Sequence, residues 1–320
     1  MKTYIKKKFR KTFYKGPTKQ LYKALSKYRI KKDKKLDDVT FVKKKFKENT
    51  GLNLNLSNPK LFNEKINWLK LFYRDDLMTQ CTDKIAVREY VKQNGYGNIL
   101  VPIIATYESV DAMNFDDLPN KVFIKTNHTS GYNAIYEKNK TDKKAIKKYF
   151  KKALETNYYY VGREWNYKNI KPKIVVEPYI DMSKFDDFKL FMFNGKLEYY
   201  AIIKGITDDK GQQSSSTFFN LYNMNDDPLD VDVDRKMFDD SKYVFPKILP
   251  QIKEAAAKLS QPFPFCRVDF LVYKDEFYFG EITFFPNGGM QLMKPIEKEI
   301  FYGDKIDLSR INEENINLKS

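Results

Sequence analysis

The chain of 320 residues carries one histidine, His128, and two cysteines, Cys81 and Cys266. That excludes a His-bearing catalytic triad, a Cys/His zinc cluster and a disulfide framework. Thirteen glycines and thirteen prolines are too few for a low-complexity or collagen-like chain. No Gly-x4-Gly-Lys-Ser/Thr run occurs, so the common phosphate-binding loop is missing. No stretch approaches the roughly 18 uncharged apolar residues of a membrane span, and Met1 to Tyr14 lacks the apolar centre of a signal peptide. A cytoplasmic protein that does not span a membrane is expected.

Hydrophobic residues make up 42% of the chain and aromatics 16%, enough for a sizeable core. The net charge of +16 is local, because residues 1–50 hold 19 Lys or Arg against 4 Asp or Glu and the rest holds 39 against 38. Residues 1–35 mix these cations with Phe9, Phe13, Tyr14, Leu21, Tyr22, Leu25, Tyr28 and Ile30 in broken helical spacing, interrupted at Gly16-Pro17. Such a basic aromatic arm suits an anionic membrane surface at the inner face of the plasma membrane or an acidic partner. It is equally read as a solvated helical arm. Nucleic acid is disfavoured, since nothing downstream looks like a base-reading module.

Chemistry concentrates in the run Cys266–Phe285, two strand-like segments around Lys274-Asp275-Glu276. A three-residue loop there sets Asp269 opposite Glu281 and Arg267 opposite Thr283, all on one face with Leu271, Phe277 and Phe279. Like charges directly across a ladder, roughly 5 Å apart at Cβ, repel and need a cation. Paired hard carboxylates suit Mg²⁺, which favours a few carboxylates plus substrate phosphates. An amphipathic hairpin with solvated acids is the plainer alternative. The apolar neighbours argue against it.

Earlier segments supply further pieces. Phe62, Ile66, Trp68, Leu69 and Phe72 recur at helical offsets after Pro59, and Thr82 or Asp83 can cap a helix ending near Gly95. Lys84 then falls in a first turn, where a cation opposes the helix dipole; it is either a surface lysine or a contact for an anionic ligand. Leu100–Ala105 and Val122–Lys125 read as buried strands. The second ends in Lys125 and runs into Thr126-Asn127-His128-Thr129-Ser130-Gly131-Tyr132-Asn133, a small-residue loop able to cover a polyphosphate. An ordinary turn is the competing reading, and His128 is expected to be a loop hydrogen-bonder. Residues 141–158 form a lysine-rich amphipathic helix, with Ile146, Tyr149, Phe150, Ala153 and Leu154 as its apolar stripe. Lys173–Ile180 is a strand closed by Glu177 and Pro178, beyond which backbone groups can pair with a nucleobase. Asn194-Gly195 marks a hairpin that places Lys189 on the face of Phe191 and Phe193. Residues 205–217 read as a mobile loop, and Pro246–Leu259 as a helix.

In this order the segments resemble the TupA-like branch of the ATP-grasp superfamily, from about Pro59 to about Ile306. The resemblance is carried by Phe62-Asn63-Glu64-Lys65, Asp83–Val91, Lys125–Asn133, Glu177-Pro178-Tyr179-Ile180 and the Arg-x-Asp and Glu-x-Thr of the final hairpin. It implies an α+β ATP-grasp fold, two α+β lobes clasping ATP behind a basic helical N-terminal extension. The implied divisions are an arm at 1–50, a helical region at 51–118, a lid subdomain at 119–180 and a C-terminal subdomain with the metal site at 181–320. Carried over by position, Lys84, Lys125, Thr129, Ser130 and Gly131 hold ATP phosphates, and Glu177, Tyr179 and Ile180 hold adenine and ribose. Lys189 and Arg267 face the reacting phosphate, and Asp269, Glu281 and Thr283 take Mg²⁺. Thr283 departs from the family pattern, which has asparagine or aspartate there, and Asn287 can substitute. The implied reaction is ATP-dependent ligation of a carboxylate to an amine through an acyl-phosphate, in bacterial capsule, teichuronopeptide or exopolysaccharide assembly. The implied substrate is a sugar acid or amino acid, in one variant on a lipid-linked glycan. A kinase of the same fold, a glycosyltransferase of the same pathway and a non-enzymatic binding protein are the alternatives.

Overall fold

The computed structural model describes residues 33–205, 217–233 and 235–318. The arm at 1–32 and most of the loop read at 205–217 therefore lie outside the described residues. In chain order the elements are helices α1 (Asp38–Thr50), α2 (Phe62–Phe72), α3 (Asp76–Thr82) and α4 (Val87–Gln93), then strands β1 (Ala105–Tyr107), β2 (Lys121–Thr126) and β3 (Asn133–Glu137). Helices α5 (Lys143–Leu154) and α6 (Tyr159–Gly162) precede β4 (Ile174–Pro178), β5 (Asp186–Phe193), β6 (Lys196–Lys204) and β7 (Phe218–Asn223). Helix α7 (Leu249–Ser260), the hairpin β8 (Phe265–Tyr273) and β9 (Glu276–Thr283), and helix α8 (Ile296–Asp304) complete the set.

Two antiparallel sheets result, ordered β1-β4-β2-β3 and β7-β6-β5-β8-β9. Each has its own core, as expected for two α+β lobes. In the small sheet, strict alternation along β2 buries Val122, Ile124 and Thr126. Val122 and Ile124 pack against Phe150, Ala153 and Ile146 of α5, so the amphipathic stripe of that helix finds its partner. Lys125 is left on the other face. The large sheet packs Phe188, Leu190, Val268 and Phe270 with Ile252, Ala256 and Leu259 of α7. Its Asn194-Gly195 turn has φ of 50° and 76°, which glycine and asparagine tolerate and most residues do not.

Several boundaries differ from the sequence reading, each for a local reason. Leu100–Ile104 is not strand and β1 begins at Ala105, because Pro102 has no N–H to give a ladder. Helix α4 starts only at Val87: the Asp83 carboxylate accepts the N–H groups of Ile85 (2.8 Å) and Ala86 (3.4 Å), forming a turn that leaves Lys84 outside the helix. Helix α1, which the sequence assigns to the basic arm, is docked: Phe41, Val42 and Phe46 are buried with Leu54 and Leu71. Arg163 holds its N-terminal approach through Asp38 and the carbonyls of Asp33, Lys34 and Leu36. The Phe62-Asn63-Glu64-Lys65 motif is structural. Glu64 accepts the N–H groups of Asn55, Lys60 and Leu61, Asn63 grips Glu299, and Lys65 reaches the Ile306 carbonyl. Among the described residues no helix is long and apolar enough to cross a membrane.

Candidate active site

The final hairpin brings Asp269 opposite Glu281 and Arg267 opposite Thr283, as the sequence predicts, but by another route. The turn has two residues, Lys274 and Asp275, so Tyr273 pairs with Glu276 and the register runs one residue short. A β-bulge between Phe270 and Asp269 then takes Gly280 out of register and restores the pairing. A Cβ on Gly280 would stand 2.9 Å from the Asp269 carbonyl oxygen, so the bulge closes only over glycine. The detour corrects one expectation. Phe277 and Phe279 lie on the opposite face from the acids and pack on Phe270.

The cation needed between the acids is first of all protein. Arg267 donates through Nε and Nη2 to both oxygens of Asp269 at 2.6 Å, and Nη2 also reaches Glu281 Oε1 at 3.4 Å and Thr283 Oγ1 at 3.1 Å. On β5, Lys189 sits directly across from Asp269 and bridges its Oδ2 (2.5 Å) to Asp187 Oδ2 (2.6 Å). Burial alone would lower Lys189, but Asp187 and Asp269 hold its pKa above the ordinary lysine value. Burial raises Asp187 to about 6 despite Lys189, with Asp269 adding to the rise. Burial would also raise Glu281, yet Lys84, Arg267, Lys189 and the Thr283 hydroxyl bring it down to about 2. Glu281 is therefore a carboxylate at any physiological pH.

Lys84 ties this network to the small sheet. Its Nζ donates to the Thr129 carbonyl at 2.8 Å, and its pKa, lowered chiefly by burial, is supported by Glu281 and Glu177 and depressed by Lys125. Lys125 pairs with Glu177 across β2 and β4, Nζ to Oε2 at 2.7 Å. The loop after β2 is pinned inside and open outside. The hydroxyls of Thr126 and Thr129 bond to each other, and His128, held between Asn127 Oδ1 and the Ala153 carbonyl, is the expected hydrogen-bonder. Ser130 and Gly131 face a cavity. Thr129 thus acts through its carbonyl and through loop geometry. Tyr179 lies under Lys121, Nζ 3.7 Å from the ring centroid, and Ile180 follows it half-buried.

The cavity, about 710 Å³, is lined by Ser130, Gly131, Lys189, Arg267, Glu281 and Thr283 from the sequence-predicted set. It also exposes residues that sequence reasoning missed. Asp187 precedes Lys189 by two residues on one strand face, a spacing that could have found it. Glu164 and Arg235 carried no such signal, since they come from loops; Tyr199 lies on β6 opposite Phe191 of β5, where an irregularity between Phe191 and Met192 shifts the register that the Asn194-Gly195 turn predicts. The Tyr199 hydroxyl is buried without a partner among the described residues. Asn287, at φ 52°, opens a left-handed turn on the cavity rim, where Lys70 Nζ holds the Gly288 carbonyl at 2.7 Å.

Compared with known proteins, the chain matches the family model described as TupA-like ATPgrasp over residues 64–307. None of the curated proteins matches it. Among solved structures, a D-alanine–D-alanine ligase from Bacillus anthracis is 19% identical, with 71% of this chain and 65% of that chain covered and a TM-score of 0.40. VanG D-Ala:D-Ser ligase from Enterococcus faecalis is 16% identical, covering 71% and 60%, TM-score 0.42. Biotin carboxylase from Campylobacter jejuni is 14% identical, covering 74% and 48%, TM-score 0.42. The chain spans less than two thirds of the length of each.

Proposed function

Because this chain belongs to the TupA-like ATP-grasp family, we propose that it is an ATP-dependent ligase joining a carboxylate to an amine. The observation that carries the reading is the convergence of Lys84, Lys189 and Arg267 with the facing acids Asp269 and Glu281, four of these five lying within hydrogen-bond or ion-pair contact of one another. Cations fixed around a site where phosphate charge develops stabilise it without reorganising, and phosphoryl transfer needs little else from a protein. Ser130 and Gly131 continue the cavity wall, and in this reading Lys125 would meet the nucleotide phosphates while Glu177, Tyr179 and Ile180 would hold its base and ribose.

The donor set fits one magnesium ion bound together with nucleotide phosphates. Glu281 uses only Oε1 in its contacts, leaving Oε2 without a partner among the described residues. Asp269 Oδ1 accepts one hydrogen bond and retains a lone pair. No group of three or more His, Cys, Asp or Glu able to hold a metal exists among the described residues, which suits an ion completed by phosphate oxygens rather than a protein cage. Thr283 gives its proton to Glu281 at 2.9 Å and accepts from Arg267, so it orients the glutamate. Asp269 and Glu281 would hold the ion, and the ion would neutralise phosphate charge during transfer.

Within this reading the carboxylate substrate is a sugar acid or amino acid and the setting bacterial cell-surface polysaccharide assembly, as the resemblance of the sequence motifs implies. The cavity has room for a small substrate beside a triphosphate. The test is a thermal-shift titration with ATP, ADP and nucleotide-sugars, with and without Mg²⁺, followed by ADP release with and without amines. A Mg²⁺-dependent ATP shift and amine-dependent ADP release are expected. Stabilisation by a nucleotide-sugar alone would overturn the reading, and ADP release indifferent to amines would turn it into a kinase.

A further inference from the structure

One carboxylate on the cavity wall stands outside the charged network. Glu164 lines the cavity, and its side chain makes no hydrogen bond or ion pair among the described residues. Its place is nonetheless built. Arg163 before it takes φ 58° and turns its guanidinium away to Asp38 and the carbonyls of Asp33, Lys34 and Leu36, between the rings of Phe41, Tyr159 and Tyr160. Asn166 after it is fastened to Thr82 Oγ1 at 2.7 Å. A Cβ on Gly162 would come within 2.9 Å of Glu164 Oε1, so the preceding glycine keeps space for the acid.

Its surroundings do not neutralise it. Lys70 on α2 is fully buried and acts on Glu164 electrostatically, but its Nζ is committed to the Gly288 carbonyl. Glu281 on β9 adds negative charge, and Tyr158 and Tyr167 feel Glu164 as a nearby anion. Burial raises the Glu164 pKa to about 7, with Lys70 opposing and Glu281 reinforcing. The residue is half-buried, and a carboxylate on a cavity wall with no hydrogen-bond partner of its own among the described residues is free to take a cationic ligand.

We propose that Glu164 is the seat of the acceptor's amino group, receiving a primary amine as its ammonium form and taking one proton from it. The neutral amine then attacks the acyl-phosphate carbonyl, the C–N bond forms, the C–O bond to phosphate breaks, and the second proton leaves with inorganic phosphate. This rests on the ligase reading and names the chemistry of its second substrate, a primary ammonium compound.

The test is a thermal-shift titration of wild type, Glu164→Gln and Glu164→Asp, loaded with MgATP, using ethanolamine, L-lysine, L-alanine amide and glucosamine, each beside its N-acetyl counterpart. At least one free amine should stabilise the loaded wild type and its N-acetyl form should not. Glu164→Gln should weaken that amine about 10- to 100-fold, the ratio expected for one lost charge-assisted hydrogen bond, and Glu164→Asp should retain part of the response. The MgATP shift serves as the folding control for both variants. An amine response intact in Glu164→Gln, or absent from wild type while MgATP still stabilises it, would sink the amine seat alone. A wild type indifferent to MgATP would bring down both this inference and the ligase reading.

Discussion

The two sheets meet the same site with different electrostatic designs. Among the described residues the four-stranded sheet has one ion pair between two of its strands, Lys125 with Glu177, whose side chains are mostly buried. The five-stranded sheet presents a continuous chain, Asp187 to Lys189 to Asp269 to Arg267 to Glu281, in which every charge has an opposite neighbour. A network of that kind is costly to interrupt, because Asp187, Lys189, Asp269 and Arg267 are largely shielded from water and each relies on the next. A lone pair can be broken and re-formed around a ligand. Under the proposed reading, the large sheet would be the preorganised half, and Lys125 of the small sheet would be the lysine free to meet phosphate.

Replacing Arg267 with methionine should break the contrast most severely. Asp269, Glu281 and Thr283 lose a shared donor at once, so urea unfolding should show a loss of about 3–5 kcal/mol and MgATP-dependent turnover should fall by about 100-fold or more. Stability near wild type would mean that the acids relax apart and that the network is not a unit. Gly280→Ala comes next. The new methyl collides with the Asp269 carbonyl, and a destabilisation of about 2 kcal/mol is expected by chemical denaturation; no change would show that the hairpin tolerates a different register.

Glu164, which belongs to neither sheet, gives a pH test at the cavity they share. Its folded pKa of about 7 lies above the ordinary 4.5, so the folded protein binds more protons than the unfolded chain between those values. The resulting stability is complete below about pH 4.5 and is lost as pH rises through 7. Wild type should therefore lose about 1–2 kcal/mol across that window relative to Glu164→Gln, less than the full shift because the carboxylate is only half-buried and cavity water screens it. Parallel stability–pH curves for the two proteins would refute the burial argument. Lys125→Ala should have the smallest effect on stability, about 1 kcal/mol or less, while weakening MgATP by about 10-fold or more in a thermal-shift titration. A large stability loss with unchanged nucleotide affinity would reverse the roles assigned to the two sheets.

Much of this site was legible in order but not in detail. The Asn194-Gly195 hairpin and the facing of Asp269 and Glu281 follow from a two-residue repeat, whereas Val122–Lys125 reads as a wholly buried strand and proves to alternate, with Lys125 on the face away from Val122 and Ile124. The facing of the two acids came out correctly although the turn is one residue shorter than expected, because the Gly280 bulge returns the missing residue. Lys84 was found as a phosphate candidate on a helix-dipole argument that its actual position, in a turn before α4, does not support. Its neighbours Glu281, Lys125 and Glu177 give a better reason.

From the sequence alone came the strand and helix periods, the pairing of the two acids and the lysine at the end of β2, since these depend on backbone geometry over a few residues. Only the tertiary structure decided that Arg267 and Lys189 neutralise the acids, that α1 joins the body, and that Glu164 stands in a cavity with Lys70 behind it. Those outcomes depend on which distant segments exclude water from a given charge, and desolvation is a property of the packed whole rather than of any window along the chain.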